Sequence, residues 1–442
     1  MRAIHHILWG LILGLTALWL LIDPLPDPGQ GFFPWRGAWV DWTGVLAMGM
    51  MSLGMILAAR PAFIEPLIGG LDKGYRLHKW LGIGGLILAI LHWLGAQGTK
   101  WLVGWGLLER PVRPPAVELD APILALLRAQ RHLAETIGEW AFYLLAVLLI
   151  LALLRRLPYR RVFQVHRLLA ILYLLLVFHA VVLMPFAAWG HGLGPVMALL
   201  MTAGSLAAIR SILGLTGRGR RVAGRIETLT HHADADVLEL EIRAAEAWPG
   251  HRAGQFAFVT FDRREGAHPF TIASAWQDDG RLRFLIKALG DHTSRLPETL
   301  KVGDPVQVEG PYGRFDFTSA TPRQIWVAGG IGVTPFLARL QALAGQPSGG
   351  AIDLFVSTRH ADAGLVERLR ESARAAGVRL HLVRTRHEGR LSAEQIRARV
   401  PQWREADVWY CGPVGLGQSL RRAMVAAGLR AEAFHQELFE MR

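Results

Sequence analysis

Cysteine is almost absent from this sequence: one residue, Cys411, stands in a chain of 442. A single thiol excludes an internal disulfide and a Cys-x-x-Cys redox pair. It also leaves no cysteine cluster for an iron–sulfur centre. Redox chemistry on this chain would therefore depend on haem, flavin or nicotinamide.

Charged residues are also scarce, at 19% of the chain against 52% hydrophobic residues. The formal net charge is +12, but no basic stripe with interleaved aromatic side chains is present, and arginines beside apolar segments account for much of the excess. Binding to nucleic acid is therefore not expected. EF-hand loops are absent as well, which argues against direct control by calcium.

Long apolar runs are present, and they lie before about residue 214. Six of them approach the roughly 20 residues that cross a bilayer as a helix: 4–22, 40–59, 78–96, 137–154, 163–184 and 194–213. The first could instead be a signal peptide, although it lacks a clear small-x-small cleavage site. The chain is thus expected to span a membrane several times, in contact with lipid.

Basic residues predict the orientation of these spans. They follow the second, fourth and sixth span: Arg60, Lys73, Arg76, Lys79, Arg155, Arg156, Arg160, Arg161, Arg210, Arg218, Arg220 and Arg221. The opposite segment 97–136 is also partly basic, which weakens this rule without reversing it. The positive-inside rule predicts a plasma (inner) membrane protein whose N-terminus and C-terminal half are cytoplasmic.

Four histidines lie in two of the spans. His78 and His92 are 14 residues apart, and His166 and His179 are 13 apart. At about 1.5 Å per residue, each pair extends over roughly 20 Å along its helix, so each helix places one histidine toward each leaflet. Ionisable groups in a bilayer are costly and usually have a functional partner. Side by side, the helices would offer two stacked imidazole pairs, which suit two haems with bis-histidine ligation.

Two other interpretations of these histidines stay open. They can be ordinary polar residues of a helix bundle, or proton relays of a transporter fused to a reductase module. Helix geometry also complicates the haem hypothesis. Two side chains 14 residues apart on a helix point within about 40° of each other, whereas two that are 13 residues apart point about 140° away from each other. The second helix is therefore expected to be overwound or tilted, or to ligate from an awkward angle.

Beyond residue 221 the pattern changes to short alternating strands, typical of a small antiparallel barrel: 222–230, 237–244, 256–261, 282–289 and 306–313. From about residue 322, strands and helices alternate, which predicts a parallel sheet with crossover helices. The predicted fold is therefore multidomain: a six-helix transmembrane bundle, an antiparallel β-barrel and an α/β nucleotide-binding domain.

A strand, a glycine-rich turn and a helix follow one another at 325–336. The turn allows a backbone to approach a phosphate while the helix N-terminus supplies amide donors, and a purely structural turn is the alternative. Its glycines are Gly329, Gly330 and Gly332. Arg359 ends the next strand, where an arginine can bind a 2′-phosphate, which favours NADPH over NADH. A solvated arginine is the other interpretation.

Two further motifs predict contacts with a flavin. HPFTIAS, residues 268–274, is expected to follow a strand of the barrel; its Phe270 could support a flavin ring and its Thr271 could donate to a ring nitrogen. GDHTSRL, residues 290–296, has the pattern of a helix start, where Thr293 and free amides suit a pyrophosphate. Taken by itself, each motif is more often turn chemistry than a ligand site.

Together these residues resemble the ferric reductase and NADPH oxidase superfamily, in the form of a bacterial single-chain flavocytochrome b with a ferredoxin-reductase-type FAD/NAD(P)H module. The resemblance covers nearly the whole chain. It depends on the order of the motifs: the two histidine spacings, HPFT, GPYG at 310–313, GGIGVTP, Cys411-Gly412-Pro413 and FHQELF.

The resemblance implies a transmembrane haem domain over 1–216, an FAD-binding barrel over 217–320 and an NAD(P)H-binding domain over 321–442. The implied FAD contacts are His268, Pro269, Phe270, Thr271, Ser274, Gly290 and Thr293. The implied dinucleotide contacts are Gly330, Gly332, Thr334, Pro335, Ser357 and Arg359.

The resemblance also pairs the histidines, His78 with His166 at an inner haem and His92 with His179 at an outer one. The predicted topology gives the same pairing, because the third and fifth spans run in the same direction. Catalysis would involve Cys411 and Phe439: the nicotinamide pocket is lined by Cys411, Gly412 and Pro413.

Phe439 is interpreted as the aromatic that stacks on the flavin and must move to admit nicotinamide. Three residues extend past it, so Phe434 is the fallback. A core aromatic at a strand end is the other interpretation.

The function implied by the resemblance is transfer of electrons from cytoplasmic NADPH, or NADH, through FAD and two b-type haems to an acceptor across the membrane. Ferric chelates and dioxygen are equally compatible acceptors. A membrane subunit that donates electrons to a periplasmic partner protein is the alternative, and the sequence predicts no particular protein partner.

Overall fold

The computed structural model describes residues 2–109, 122–153, 159–319, 321–344, 350–359 and 362–437. The chain forms two compact units that divide between Thr216 and Gly217. The boundary between two domains near residue 320 stays a prediction.

The first unit is helical. Its helices are α1 (Arg2–Leu20), α2 (Phe32–Ala58), α3 (Glu65–Ile68), α4 (Leu71–Trp93), α5 (Thr99–Gly104), α6 (Pro122–Ala129), α7 (Arg131–Leu153), α8 (Tyr159–Leu183), α9 (Phe186–Trp189) and α10 (Leu193–Ile212). The segment 97–136, treated above as a connection, thus contains α5, α6 and the start of α7, while residues 110–121 lie outside the described residues.

Five helical stretches of the described chain are long and apolar enough to cross a membrane: Phe32–Ala58, Leu71–Gly104, Arg131–Leu153, His166–Leu183 and Leu193–Ile212. The stretch Leu71–Gly104 is continuous because α4 passes through a π-helical turn, Leu94–Gly98, into α5. The first helix contributes a shorter apolar stretch, Ile4–Leu20. The count of six spans therefore stays a prediction.

Helices α2, α8 and α10 pack around one apolar core, with Leu46, Tyr173 and Met201 among its buried side chains. Within it the hydroxyls of Ser52 and Tyr173 hydrogen-bond at 2.8 Å, which satisfies polar groups that are costly to leave unpaired in hydrocarbon. Gly204 makes this possible, since a Cβ there would lie 2.2 Å from the Tyr173 hydroxyl.

The second unit opens with an antiparallel sheet. Its strands are β1 (Arg221–His232), β2 (Val237–Ala244), β3 (Phe256–Thr260), β4 (His268–Thr271), β5 (Arg281–Lys287) and β6 (Pro305–Tyr312), in the order β4-β3-β6-β1-β2-β5. Alternate residues of β2, such as Leu238 and Leu240, are buried, as expected for a sheet with one face on a core. A bridge between Ile272 and Phe284 links the segment after β4 to β5; the closed barrel stays a prediction.

A parallel sheet follows. Its strands are β7 (Arg323–Gly329), β8 (Ala351–Thr358), β9 (Arg379–Arg384), β10 (Asp407–Cys411) and β11 (Phe434–Gln436), in the order β11-β10-β7-β8-β9. The helices of this unit are α11 (Asp291–Thr299), α12 (Thr334–Leu343), α13 (Ala363–Ala375), α14 (Thr385–Glu388), α15 (Ala393–Arg399) and α16 (Val414–Ala426). The strand order reverses at β7, and ligands of such sheets bind at the carboxyl ends of the strands at that point.

Most predicted strands of the second unit are confirmed, and β2 has the predicted bounds. HPFTIAS follows the strand β3, as expected, and its first four residues themselves form the strand β4, which the sequence pattern does not predict. Its edge position explains how it contains Pro269, which has no amide to donate to a second neighbour. The sequence pattern does not predict β11, because three residues are too few to show an alternation.

Candidate functional site

The four membrane histidines form two pairs. The ring centroids of His78 and His166 are 5.9 Å apart, and those of His92 and His179 are 6.2 Å apart. Helix α4 therefore faces α8 with one imidazole pair near each end, despite the unequal spacings of 14 and 13 residues.

Three of these imidazoles donate a hydrogen bond from Nδ1 to a backbone carbonyl. His78 donates to Gly54 at 2.9 Å, and His92 donates to Val40 at 2.9 Å. His179 on α8 donates to the Ala134 carbonyl at 2.8 Å. A carbonyl can only accept, so Nδ1 carries the proton and Nε2 keeps its lone pair. Metal-binding histidines are typically oriented by such a second bond.

Two glycines make room for these bonds. Gly44 lies four residues after Val40, and a Cβ there would lie 3.2 Å from the His92 ring. Gly138 lies four residues after Ala134, and a Cβ there would lie 2.0 Å from Nδ1 of His179. In a helix, residue i+4 sits beside the carbonyl of residue i, so a missing Cβ at i+4 leaves that carbonyl accessible. Sequence reasoning missed both glycines.

The geometry of the pairs fits a metal ion between the rings. A bond of about 2.0 Å to one nitrogen of each ring, with roughly 1.1 Å from that nitrogen to its ring centroid, places the centroids about 6 Å apart. Haem iron is commonly held by histidine imidazole, and each pair would offer two imidazole ligands to one haem. The residues present therefore fit two bis-histidine haems.

A π-helical turn, Leu94–Gly98, directly follows His92 and Trp93. Such turns leave carbonyls without their usual helical partners. Arg36 on α2 donates from Nε to the Gly95 carbonyl at 3.0 Å, so the irregular turn beside His92 is held by a cation from a neighbouring helix.

The predicted nucleotide residues meet at one edge of the parallel sheet. Gly329 at the end of β7 pairs in register with Ser357 of β8, and Arg359 follows β8 with its side chain exposed. On the other side of β7, the strand β10 ends at Cys411. Buried Thr334 and Pro335 form the first turn of α12, directly after the glycine-rich turn.

Glycine is required at this edge of the sheet for two different physical reasons. A Cβ on Gly329 would lie 2.6 Å from the Pro413 ring, and a Cβ on Gly332 would lie 2.2 Å from the Cys411 carbonyl. A Cβ on Gly412 would lie 2.8 Å from the Cα of Gly329, and the φ of Gly412 is +154°. These three glycines let the two turns pack on each other. Gly330 differs, with a φ of +57° and open space around its Cβ position.

Cys411 is completely buried at the end of β10. Burial, together with the nearby Glu437 carboxylate, raises the pKa of its thiol well above the usual value. The thiol is therefore neutral at physiological pH and unsuited to nucleophilic attack. Glu437, which is 4% exposed after β11, is a site residue that sequence reasoning missed; its place within the FHQELF motif is the signal that could have found it.

The two predicted flavin motifs also lie together. His268 of β4 stacks on His292 of α11, with ring centroids 4.2 Å apart and planes at 14°. Phe270, on the same face of β4 as His268, contacts Phe261 with centroids 6.1 Å apart. Thr293 accepts hydrogen bonds from the amides of Leu289 and Gly290, which shapes the start of α11.

Two hydrogen bonds hold Ser274, the last residue of the HPFTIAS motif. The buried Ser274 accepts a hydrogen bond on its hydroxyl from the Arg283 amide at 3.1 Å and on its carbonyl from His251 Nε2 at 2.9 Å. Thr271 is buried too, while Pro269 is partly buried.

The flavin and nucleotide motifs adjoin each other. Ala273 of HPFTIAS belongs to the same apolar cluster as Ile331 of the glycine-rich turn. The amide of Ala275 donates to the side chain of Gln341 on α12 at 3.0 Å. The sheet topology thus brings the two predicted cofactor segments side by side, as hydride transfer between them would need.

Phe439 lies outside the described residues, so its assignment stays a prediction. The fallback, Phe434, is buried in β11 and packs toward Tyr410 with ring centroids 6.3 Å apart. This position gives Phe434 a role in the core of the parallel sheet.

Two family models match the chain. The ferric reductase-like transmembrane component matches residues 43–177, and an FAD-binding domain matches residues 225–316. A transmembrane component followed by an FAD-binding domain is the arrangement of the ferric reductase and NADPH oxidase superfamily. This chain has that arrangement of domains.

Curated relatives resemble part of the chain. The toluate 1,2-dioxygenase electron transfer component of Pseudomonas putida is 30% identical over 196 residues, which cover 42% of this chain and 58% of the relative. An NADPH oxidoreductase of Mycobacterium tuberculosis is 28% identical over 197 residues, which cover 43% of this chain and 52% of the relative. The chain thus spans little more than half the length of these relatives.

Among solved structures, a flavohaemoglobin from Malassezia yamatoensis with bound FAD and haem aligns over 97% of this chain and 98% of its own. Its identity is 18% and its TM-score 0.51, so the likeness concerns the fold alone. The family models therefore define the class of the chain: a ferric reductase-like transmembrane component followed by an FAD-binding domain.

Proposed function

We propose that this chain carries electrons from cytoplasmic NADPH, through FAD and two b-type haems, to an acceptor on the other side of the membrane. The observation that carries the proposal is the pair of imidazole sites on α4 and α8, at ring separations of 5.9 and 6.2 Å. A ferric chelate or dioxygen is the acceptor, and the N-terminus and second unit are cytoplasmic.

When bound, FAD accepts the two electrons of a hydride together and releases them singly, which suits one-electron carriers such as haem iron. The chain itself supplies ligands, orientation and exclusion of water. The hydrogen bond from Nδ1 of His78 to Gly54 holds its ring with Nε2 free to bind iron. The corresponding bonds of His92 and His179 do the same at the other site.

At the sheet edge, the open space around Gly330 would admit a phosphate, and exposed Arg359 would pair with the 2′-phosphate of NADPH. Neutral, buried Cys411 would line the nicotinamide pocket without reacting covalently. Gly290 and Thr293 at the start of α11 would meet the FAD pyrophosphate.

Two basic residues near the start of α7, Arg128 of α6 and Arg131 of α7, favour an anionic acceptor such as a ferric chelate, because positive charge raises its local concentration. Arg131 pairs with Glu135 at 3.0 Å, which reduces this effect. Dioxygen therefore remains an equal alternative, and the acceptor is decided by the experiment below.

The test uses the purified full-length chain supplied with haem and FAD. Anaerobic NADPH should give the spectrum of reduced b-type haem at two haems per chain, and either dioxygen or a ferric chelate should reoxidise it. His92→Leu and His179→Leu should each remove the same haem, whereas His191→Leu, at an exposed histidine, should keep both. Absence of a Soret band, or haem that NADPH cannot reduce, would refute the proposal.

A rate that stays slow with both small acceptors and rises on addition of a periplasmic protein fraction would instead support the electron-donating subunit. The same purified sample therefore separates the two functions.

A further inference from the structure

His268 and His292 form a stacked imidazole pair between the two flavin motifs. Their rings are 4.2 Å apart and nearly parallel, at 14°. Phe270 and Phe261 adjoin the pair, with Phe270 stacked toward His268 at 6.4 Å and Phe261 at 6.4 Å from His292. Two aromatic side chains thus cover a pair of ionisable ones.

The pair is partly shielded from water. The Nε2 atom of His292 is buried and makes no hydrogen bond among the described residues. A buried polar nitrogen without a partner is costly, and here it lies one residue before Thr293 at the N-terminus of α11. A ligand group that pairs with this nitrogen would remove that cost.

Charged groups around the pair are few. Asp262 and Glu265 approach His292 from the segment between β3 and β4, and Arg295 approaches from α11, where it lies 3.9 Å from Glu265. The exposed Asp291 is on the same turn of α11.

These surroundings keep both rings neutral. Burial, and then the neighbouring His292, lowers the pKa of His268 to about 4. Burial likewise lowers the pKa of His292, with Arg295 acting in the same direction and the two carboxylates opposing it.

We propose that the pair His268–His292 takes up a proton when FAD binds, and that the resulting imidazolium pairs with the FAD pyrophosphate. This rests on the proposed FAD site. The pyrophosphate would lie at Gly290 and Thr293, next to His292 in the chain, and its two negative charges would stabilise an imidazolium in this half-buried site. The second ring remains neutral, so the two do not repel.

The sign of the pH effect follows from linkage. In the free protein the pair becomes protonated only as the pH falls toward about 4, and bound pyrophosphate raises that pKa. Between the two pKa values, binding consumes a proton, so the Kd for FAD increases with pH, by about tenfold per pH unit where one full proton is taken up. Below the lower pKa and above the higher one, the Kd is independent of pH.

The experiment titrates the full-length apoprotein with FAD, and separately with riboflavin, between pH 5 and pH 8. Calorimetry in two buffers of different ionisation enthalpy counts the protons, and quenching of flavin fluorescence gives the Kd independently. We expect proton uptake approaching one per FAD near the acidic end and none for riboflavin, which has no pyrophosphate.

The variant His292→Phe keeps the ring stack but removes one ionisable ring, so it should abolish most of the proton uptake on FAD binding. The variant His292→Asn should lose the same proton uptake and has no aromatic ring at this position. His231→Gln, at an exposed histidine of β1, is the matched control and should keep the uptake. The far-ultraviolet circular dichroism of each variant checks its folding.

A Kd for FAD that does not change with pH, with no proton uptake, would overturn this inference alone. Equal uptake with riboflavin would also overturn it, because the proton would then belong to the ring system. Failure to bind FAD at every pH would overturn both this inference and the proposed function, so the two failures are distinguishable.

Discussion

Gly138→Ala is the sharpest test of how the chain orients its histidines. The new Cβ would lie 2.0 Å from Nδ1 of His179, whereas an ordinary contact needs at least 3.4 Å. The imidazole must therefore move by about 1.4 Å away from α7. Its hydrogen bond to the Ala134 carbonyl, now 2.8 Å, would lengthen to about 4 Å and cease to exist.

Loss of this hydrogen bond should weaken haem binding measurably, because the bond orients His179, which would bind the haem iron through its other nitrogen. Removing such a bond typically weakens metal binding about 10- to 100-fold, and we expect that factor for the haem at His92 and His179. The helix itself should gain stability, since alanine exceeds glycine in helix propensity by about 0.8–1 kcal/mol. A loss of haem would therefore not reflect a lower helix propensity of α7.

The assay is the haem content per chain by the pyridine haemochrome method, with a redox titration of the haem that remains. Gly44→Ala should have a smaller effect, because its Cβ would lie 3.2 Å from the His92 ring. Gly82→Ala is the control, since its Cβ would meet open space on α4. Two haems of unchanged affinity in Gly138→Ala would refute the orientation of His179 by Ala134.

Three further predictions concern single side chains. His78→Leu should leave about one haem per chain, because His166 alone cannot provide both axial ligands; two retained haems would contradict the pairing. Arg359→Ala should raise the KM for NADPH about tenfold or more, and that for NADH far less; equal increases would exclude a 2′-phosphate contact. Buried Cys411 should resist iodoacetamide at pH 8 until the chain is unfolded, and rapid labelling of the native protein would contradict this.

Local patterns were sufficient to predict much of the fold. The alternation of β2 appears in three consecutive pairs of residues, 238/239, 240/241 and 242/243. The glycine-rich turn between β7 and α12 has a strand before it and a helix after it. Such features depend on neighbours in the sequence, so periodicity reveals them. β11, with three residues, has no period to detect, and its strand character depends on pairing with β10.

The candidate site was predictable to a similar extent. The nearly equal spacings of the histidines on α4 and α8 indicate two imidazole pairs from the sequence alone, because helix rise is constant. The stack of His268 on His292 was not predictable, since residues 24 positions apart in the chain meet only through the packing of α11 beside β4.

The order of amino acids is enough to establish which segments are apolar, where strands and turns begin, and which residue types are available for iron, flavin and nucleotide. Three-dimensional packing was needed to show that Ala134 orients His179, that Gly138 leaves room for it, and that Gly329 packs against Pro413. Separation along the chain explains this division: these contacts join residues 41 to 84 positions apart, and local pattern carries no information about which distant backbone a side chain will meet.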